Sequence, residues 1–324
     1  MEERYVGRSG LRVSRLGLGT MTWGRDTDEH EASDQLRAFV DAGGTLVDTA
    51  PSYAEGAAEQ ILGQVLEGLL GQSGNRDRLV LATKGGIGRR GGRGYVDTSR
   101  RGLLAQLDTS LQRLGVGHVD LWQVHVWSDD VPIEEVLGTL EHAVSTGRAR
   151  YVGVSNYSGW QLARAVTLQE AARRAPIVSN QVEYSLLARA VEAEAVPAAR
   201  ALGVGVLCWS PLGRGVLTGK YRSGVPGDSR GASAHFAPFV EAYFGRRSRS
   251  VVDAVVTAAD GLGVSPVEVA LSWARDRPGV ASAVVGARTA AQLRGSLSAE
   301  DVVLPDAIRE ALDDVSAPGG TAED

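Results

Sequence analysis

Cysteine is almost missing from this chain of 324 residues: Cys208 stands alone, which excludes an intrachain disulfide and every CxxC or multi-cysteine metal arrangement. Lysine is scarce as well. Lys84 and Lys220 are the only ones among 34 lysines and arginines, so each invites a chemical reason for being there. No apolar run approaches the roughly 18 residues that a membrane-spanning helix needs. The opening MEERYVGRSG carries two acids where a secretory leader would carry an apolar stretch, so a cytoplasmic protein is expected. The net charge of −5 lacks the basic excess of nucleic-acid or anionic-membrane binders, and neither is expected as a partner.

Glycine, by contrast, is plentiful, at 41 residues against a usual share of roughly 7%. Such a chain turns often. With 43% apolar and 23% charged residues it can bury a large core, and disordered or collagen-like classes are excluded.

Strand-like runs near 17 and 46, and at Leu79 to Thr83, Val119 to Val124, Tyr151 to Val154, Ile177 to Val182, Val204 to Trp209 and Ala281 to Val285, number eight. Helical patterns lie between them, such as Leu36, Phe39 and Val40, or Leu103, Leu107, Leu111 and Leu114. Eight alternating strands and helices predict an α/β fold, a single (β/α)8 TIM barrel. A doubly wound sheet is the rival, but Gly17 and Gly19 are followed by Thr20-Met-Thr-Trp and not by the third glycine of a dinucleotide fingerprint. Ahead of the first strand, residues 5 to 13 read as an N-terminal β-hairpin around Ser9-Gly10, able to plug the barrel's bottom. A long irregular loop from Ser210 to Arg247, after strand seven, reads as a lid covering the site. We expect one domain over 1–316 and a flexible tail over 317–324.

In such a barrel, chemistry sits where the strands end. Those ends offer Asp48 with Tyr53 in the next loop, then Lys84, His125, Ser155 and Asn156, and Asn180 and Gln181, all expected to face one mouth. An ammonium beside a phenol lowers the phenol's pKa, a carboxylate keeps that ammonium charged, and the tyrosine becomes a usable acid. His125 could orient a carbonyl. Taken singly, each residue has a structural alternative: Asp48 as a helix cap, His125 as filler, a buried Lys–Asp pair as scaffold. Occurring on consecutive strand ends, they favour chemistry. Cys208, inside an apolar strand, reads as a small buried hydrophobe.

The segments Asp48-Thr-Ala-Pro-Ser-Tyr53, Leu81-Ala-Thr-Lys84, Asp120-Leu-Trp-Gln-Val-His125 and Gly153-Val-Ser-Asn156 resemble the aldo-keto reductases. The resemblance continues through Asn180-Gln181-Val-Glu-Tyr184-Ser, Trp209-Ser-Pro-Leu-Gly-Arg-Gly215-Val-Leu-Thr-Gly-Lys220 and Val285-Gly-Ala-Arg288-Thr-Ala-Ala-Gln292-Leu, nearly the whole chain, and is nearest the bacterial, potassium-channel β-subunit-like branch. It implies an NADPH/NADP+-dependent carbonyl reductase with Tyr53 as proton donor, Lys84 and Asp48 as its tuners and His125 orienting the carbonyl. It further implies that Ser155, Asn156 and Gln181 meet the nicotinamide carboxamide and that Trp209 stacks on its ring, where many relatives have tyrosine. Ser210, Leu212, Gly213 and Gly215 would wrap the pyrophosphate, with Lys220 closing the lid. Gly286, Arg288 and Gln292 would grip the adenosine 2′-phosphate; Ser296 stands where relatives often carry an Asn or Glu. Asn156 has an alternative as the cap of the following helix.

The expected activity is reversible reduction of an aldehyde or ketone to an alcohol. Trp23 and Trp127 suggest an apolar or sugar-stacking substrate pocket, packing being the alternative for both. The rival functions are a regulatory NADP(H)-binding subunit with little turnover and a Schiff-base lyase using Lys84 as nucleophile. The oligomeric state stays open.

Overall fold

In a computed structural model of the chain, the described residues are 1–70, 75–90, 93–227, 229–233 and 236–318. Among these described residues the strands are, in chain order, β1 (Glu3–Tyr5), β2 (Arg12–Ser14), β3 (Leu16–Gly19), β4 (Leu46–Asp48), β5 (Val80–Gly85), β6 (Ile87–Arg90), β7 (Arg93–Val96), β8 (Val119–Val124), β9 (Ala149–Ser155), β10 (Ile177–Glu183), β11 (Gly205–Trp209) and β12 (Val280–Val285). Eight of them, β3, β4, β5, β8, β9, β10, β11 and β12, pair in parallel in that order and close on themselves between β12 and β3. The expected TIM barrel is therefore present, with the strands where the apolar runs placed them.

Helices α1 (Glu29–Asp41), α2 (Ala57–Leu70), α3 (Arg100–Leu114), α4 (Ile133–Ser145), α5 (Gly159–Ala171), α6 (Ala195–Leu202), α7 (Ala237–Glu241), α8 (Arg246–Leu262), α9 (Pro266–Arg275), α10 (Ala290–Leu297) and α11 (Asp306–Ser316) surround it. Local chemistry sets their ends. The Asp28 carboxylate accepts from the Glu31 N–H at 2.9 Å to open α1, and Ser99 caps α3, whose far end stops at Gly115 in the left-handed conformation. Leu103, Leu107 and Leu114 then bury one stripe of α3 completely, each contributing ~1.5–3 kcal/mol by leaving water.

Two apolar layers result. One lies between strands and helices; the other fills the barrel's lower interior with Leu46, Ala82, Leu121, Val178, Leu207 and Ala281. Val6, Leu11 and Val13 of the β1–β2 hairpin belong to this inner layer, so the hairpin is the plug that the sequence suggested. Its turn lies flat on the start of β11. Gly7 has φ +57°, and a side chain there would meet the Gly203 carbonyl oxygen at 2.2 Å. The opposite end, where the strands terminate, is left for chemistry.

One expectation changes. The stretch from Ser210 to Arg247 is not featureless: it holds 3-10 turns at Gly213–Thr218 and Arg230–Ala232, then α7, and α8 already begins at Arg246. After β5, strands β6 and β7 pair antiparallel. Of the expected tail 317–324, residues 319–324 lie outside the described residues, and the Ala317 carbonyl accepts from Arg247.

Candidate active site

Lys84 and Asp48 are both buried, one near the end of β5 and the other closing β4. The Lys84 ammonium donates to Asp48 Oδ2 at 2.6 Å, to the Thr49 carbonyl at 3.0 Å and to the Tyr53 hydroxyl at 3.4 Å, which uses all three of its protons. Burial pulls the Lys84 pKa down, but Asp48 and Tyr53 outweigh it and the net shift is upward. The Tyr53 phenol departs from the sequence argument. Burial pushes its pKa up, Lys84 pulls it down, Asp48 pushes it up again, and the net direction is upward. The neighbouring ammonium thus tempers the desolvation without reversing it, and Tyr53 holds its proton firmly.

His125, directly after β8, presents its ring edge-on to Tyr53 at 82° with centroids 6.2 Å apart. Burial, followed by the Lys84 charge, pushes its pKa down to about 3, so the imidazole is neutral at physiological pH. Its Nδ1 is buried without a partner. Behind Tyr53 the backbone is strained: Ala54 and Glu55 take φ of 45° and 57°, then Gly56 takes 98°. Left-handed non-glycine residues cost ~1–2 kcal/mol each and persist where surroundings over-determine them. Here the guanidinium of Arg113 packs on Gly56, and the buried Glu59 anchors both Arg113 (3.2 Å) and the Thr83 hydroxyl of β5 (2.8 Å).

The three polar residues next along the rim are tied to each other. Gln181 Nε2 donates to Asp48 Oδ1 at 2.8 Å, joining the carboxamide set to the charged pair, a link that the sequence did not reveal. Ser155 Oγ donates to the Gln181 carbonyl at 2.8 Å. Asn156, with φ +60°, donates through Nδ2 to the His125 carbonyl at 3.1 Å and accepts from the Trp209 indole N–H at 3.0 Å. Its alternative as a helix cap fails, because Ser158 occupies that position before α5. Asn180 does not face the mouth: its amide bonds the backbone of Tyr157 at 2.9 Å, on the opposite side of β10 from Gln181.

The cover over the mouth also differs in detail. Ser210 has φ +52°, and Leu212 is partly buried. The amide N–H groups of Gly213 and Gly215, expected to face phosphate, instead donate to the carbonyls of Ser210 (2.9 Å) and Leu212 (3.0 Å) within the turn. The Lys220 ammonium lies 3.7 Å from where a side chain on Gly215 would begin, so that turn carries a cation at its open side. At the far end Arg288 precedes Thr289, the cap of α10, and Gln292 Oε1 accepts from the Arg288 N–H at 3.1 Å. Ser296 donates back to the Gln292 carbonyl. A further arginine, unnoticed in the sequence, arrives from the cover: Arg230 lies 3.7 Å from where a side chain on Gly286 would begin, and burial pushes its pKa down, opposed by Asp26 and reinforced by Arg288. Arg230 and Arg288 feel each other's charge, and a guanidinium beside Gly286 suits an anion.

Residues 15–317 match the aldo/keto reductase family. The chain belongs to that family. This aldo/keto reductase is 35% identical to an uncharacterized oxidoreductase, YrpG, of Bacillus subtilis (strain 168) over 99% of its own length and 98% of the relative's. It is also 35% identical to a probable voltage-gated potassium channel subunit beta of Oryza sativa subsp. japonica, over 98% and 96% of the two chains. The aldo-keto reductase YhdN of Bacillus subtilis (strain 168) is 33% identical over 90% and 87%. Members of the family oxidise and reduce carbonyl compounds, generally with NADP.

In this aldo/keto reductase Trp23 presents no surface to the mouth. It is fully buried, and its indole N–H donates to Gln35 Oε1 of α1 at 3.1 Å, so packing, the alternative noted for it, is its role. Trp127 is only partly buried, stands edge-on to Tyr157 and Trp160, and is oriented by a 2.7 Å bond to Asp129. Trp160 is 54% exposed beside it, a second aromatic face that the sequence reading did not single out. Cys208 is buried, as expected.

Proposed function

We propose that this aldo/keto reductase reduces an aldehyde or ketone to the alcohol, reversibly, with NADPH as its partner and Tyr53 as the proton donor. The observation that carries the reading is the buried Lys84, bonded at once to Asp48 and Tyr53. When bound, the nicotinamide supplies a hydride to the carbonyl carbon. The carbonyl oxygen then gathers charge, and the Tyr53 hydroxyl gives it a proton. Lys84 stabilises the phenolate left behind, and Asp48 keeps Lys84 charged. Neutral His125, with the ring aimed at Tyr53, hydrogen-bonds the same oxygen and fixes its approach.

The residues present fit a dinucleotide of this kind. Gln181, its Nε2 engaged by Asp48, keeps Oε1 as an acceptor for a carboxamide N–H, with Ser155 and Asn156 beside it. Trp209 offers an indole face. We assign Ser210, Leu212, Gly213, Gly215 and Lys220 to the pyrophosphate, and Gly286, Arg288 and Gln292 with Arg230 to the adenosine 2′-phosphate, which a guanidinium suits and which favours NADPH over NADH. Lys84 is a poor nucleophile with all three protons engaged, which disfavours a Schiff base. We place the protein in the cytoplasm, acting on a small carbonyl compound, without nucleic-acid or membrane partners.

The test is NADPH consumption against a panel of aldehydes and ketones, with Tyr53→Phe beside the wild type. Turnover abolished in the variant, with NADPH still bound, supports the reading. The relatives named as probable channel subunits supply a second reading, a regulatory NADP(H)-binding subunit. Tight NADPH binding with negligible turnover, unchanged in Tyr53→Phe, would establish it instead.

A further inference from the structure

Arg214 has no part in the chemistry above, yet it is among the most heavily engaged side chains at the mouth. It sits at φ +58° between Gly213 (+54°) and Gly215 (+93°), three consecutive residues in the left-handed region. Glycine takes that conformation freely, whereas arginine does so at a cost that its surroundings must offset. The surroundings here are specific. Nε and Nη2 form a two-pronged ion pair with the Glu183 carboxylate, each at 2.8 Å, and Nη1 donates to the Phe239 carbonyl at 2.7 Å. The guanidinium also lies 5.7 Å from the ring centroid of Trp209, 5.7 Å from that of Phe239 and 5.4 Å from that of Tyr243. Tyr243 in turn donates to Glu183 at 2.9 Å.

These contacts divide into two bodies. Glu183 ends β10 and Trp209 ends β11, both fixed in the barrel wall, whereas Phe239 and Tyr243 belong to the cover, on α7 and just after it. One planar cation therefore fastens the cover to the wall, and does so against the indole that the functional reading assigns to the nicotinamide. We propose that Arg214 is the latch of this cover, and that its grip on Glu183 and Phe239 sets how slowly a nicotinamide dinucleotide leaves. The dinucleotide rests on the functional reading; the latch itself does not. Arg214 acts through Trp209 and the cover and is a positioning residue. Only a guanidinium can hold both carboxylate oxygens and a carbonyl in one plane, so lysine is no equivalent.

The latch is tested with Arg214→Asn, which suits the left-handed backbone while removing the guanidinium, with Glu183→Gln, which keeps the wall residue's shape without its charge, and with Arg214→Lys. Stopped-flow indole fluorescence follows release of NADPH. Release is expected to be about tenfold faster in Arg214→Asn, equivalent to ~1.4 kcal/mol, with Arg214→Lys intermediate. Without any dinucleotide, chymotrypsin is expected to cut at Phe239 sooner in Arg214→Asn and Glu183→Gln than in the wild type, at equal thermal stability. Release from Arg214→Asn within about twofold of wild type, or unchanged cleavage in Arg214→Asn and Glu183→Gln, overturns the latch. A wild type that binds no NADPH overturns the functional reading together with the latch's role in release, whereas normal binding with unaltered release overturns the latch alone.

Discussion

The mouth of the barrel has two sides that are built by different physics. On one side Asp48, Lys84 and His125 stand at the ends of consecutive strands, largely buried and held in place by the barrel itself. On the other, Arg214, Lys220 and Arg230 come from a cover whose groups are exposed or half-buried and whose contacts cross between elements far apart in sequence. The first side is preorganised: its charges meet before any substrate arrives. The second is an assembly of charged clasps between segments distant in sequence.

Removing a charge from the first side should therefore be the most damaging change. Lys84→Met leaves the Asp48 carboxylate buried without its cation, and a loss of ~3–5 kcal/mol of folding stability is expected, read by urea denaturation, together with loss of carbonyl reduction. A stability change below about 1 kcal/mol would show that water reaches this pair and that the two sides are alike.

Tyr53→Phe keeps the ring and removes the proton. Reduction should fall by roughly 10²–10⁴-fold, the usual contribution of a positioned general acid, with thermal stability and NADPH affinity nearly unchanged. Replacing Arg230 of the cover or Arg288 ahead of α10 by Ala should instead raise KM for NADPH by about tenfold or more, as expected for a charged hydrogen bond. KM for NADH and the folding stability should hardly move. Equal effects on both cofactors would mean that these arginines do not read the 2′-phosphate.

The pH dependence sharpens the contrast further. His125 is depressed to about 3 in the folded protein, against about 6.5 when unfolded. Its neutral form thus contributes stability in full above about 6.5, and that contribution is lost as pH falls towards 3. Urea denaturation across this window should show the decline, and His125→Asn should flatten it. Tyr53 is shifted upward by burial, so reduction should persist through the ordinary tyrosine titration range and fail only where the phenol ionises. The smallest effect is expected at the rim. Trp160→Ala should cost an aryl aldehyde ~0.5–1.5 kcal/mol in kcat/KM relative to an aliphatic one. An equal cost to both would remove Trp160 from substrate contact.

The same division explains what could be read beforehand. Strands announce themselves by local apolar runs, and barrel geometry places chemistry at their ends, so Asp48, Lys84 and His125 were legible from position alone. Asn180 was misjudged although the rule was at hand: successive strand residues alternate faces, and with Gln181 turned inwards Asn180 must turn out. Trp23 stayed open between pocket and packing because an indole near a strand end does either with the same spacing. The sign of the Tyr53 shift depends on how fully the phenol loses water, which no motif encodes. Arg214 and Arg230 were invisible among many arginines, since their meaning lies in partners brought near only by the folded cover.

The solitary cysteine has a practical consequence. Cys208 is fully buried in β11, and burial pushes its thiol pKa up, so it stays unreactive towards alkylating dyes in the native protein. A thiol introduced anywhere on the surface would be the only one to take a label. Phe239→Cys, on the exposed face of α7, would accept a single fluorophore, and its polarisation would report the cover's excursions one molecule at a time, with no background to subtract.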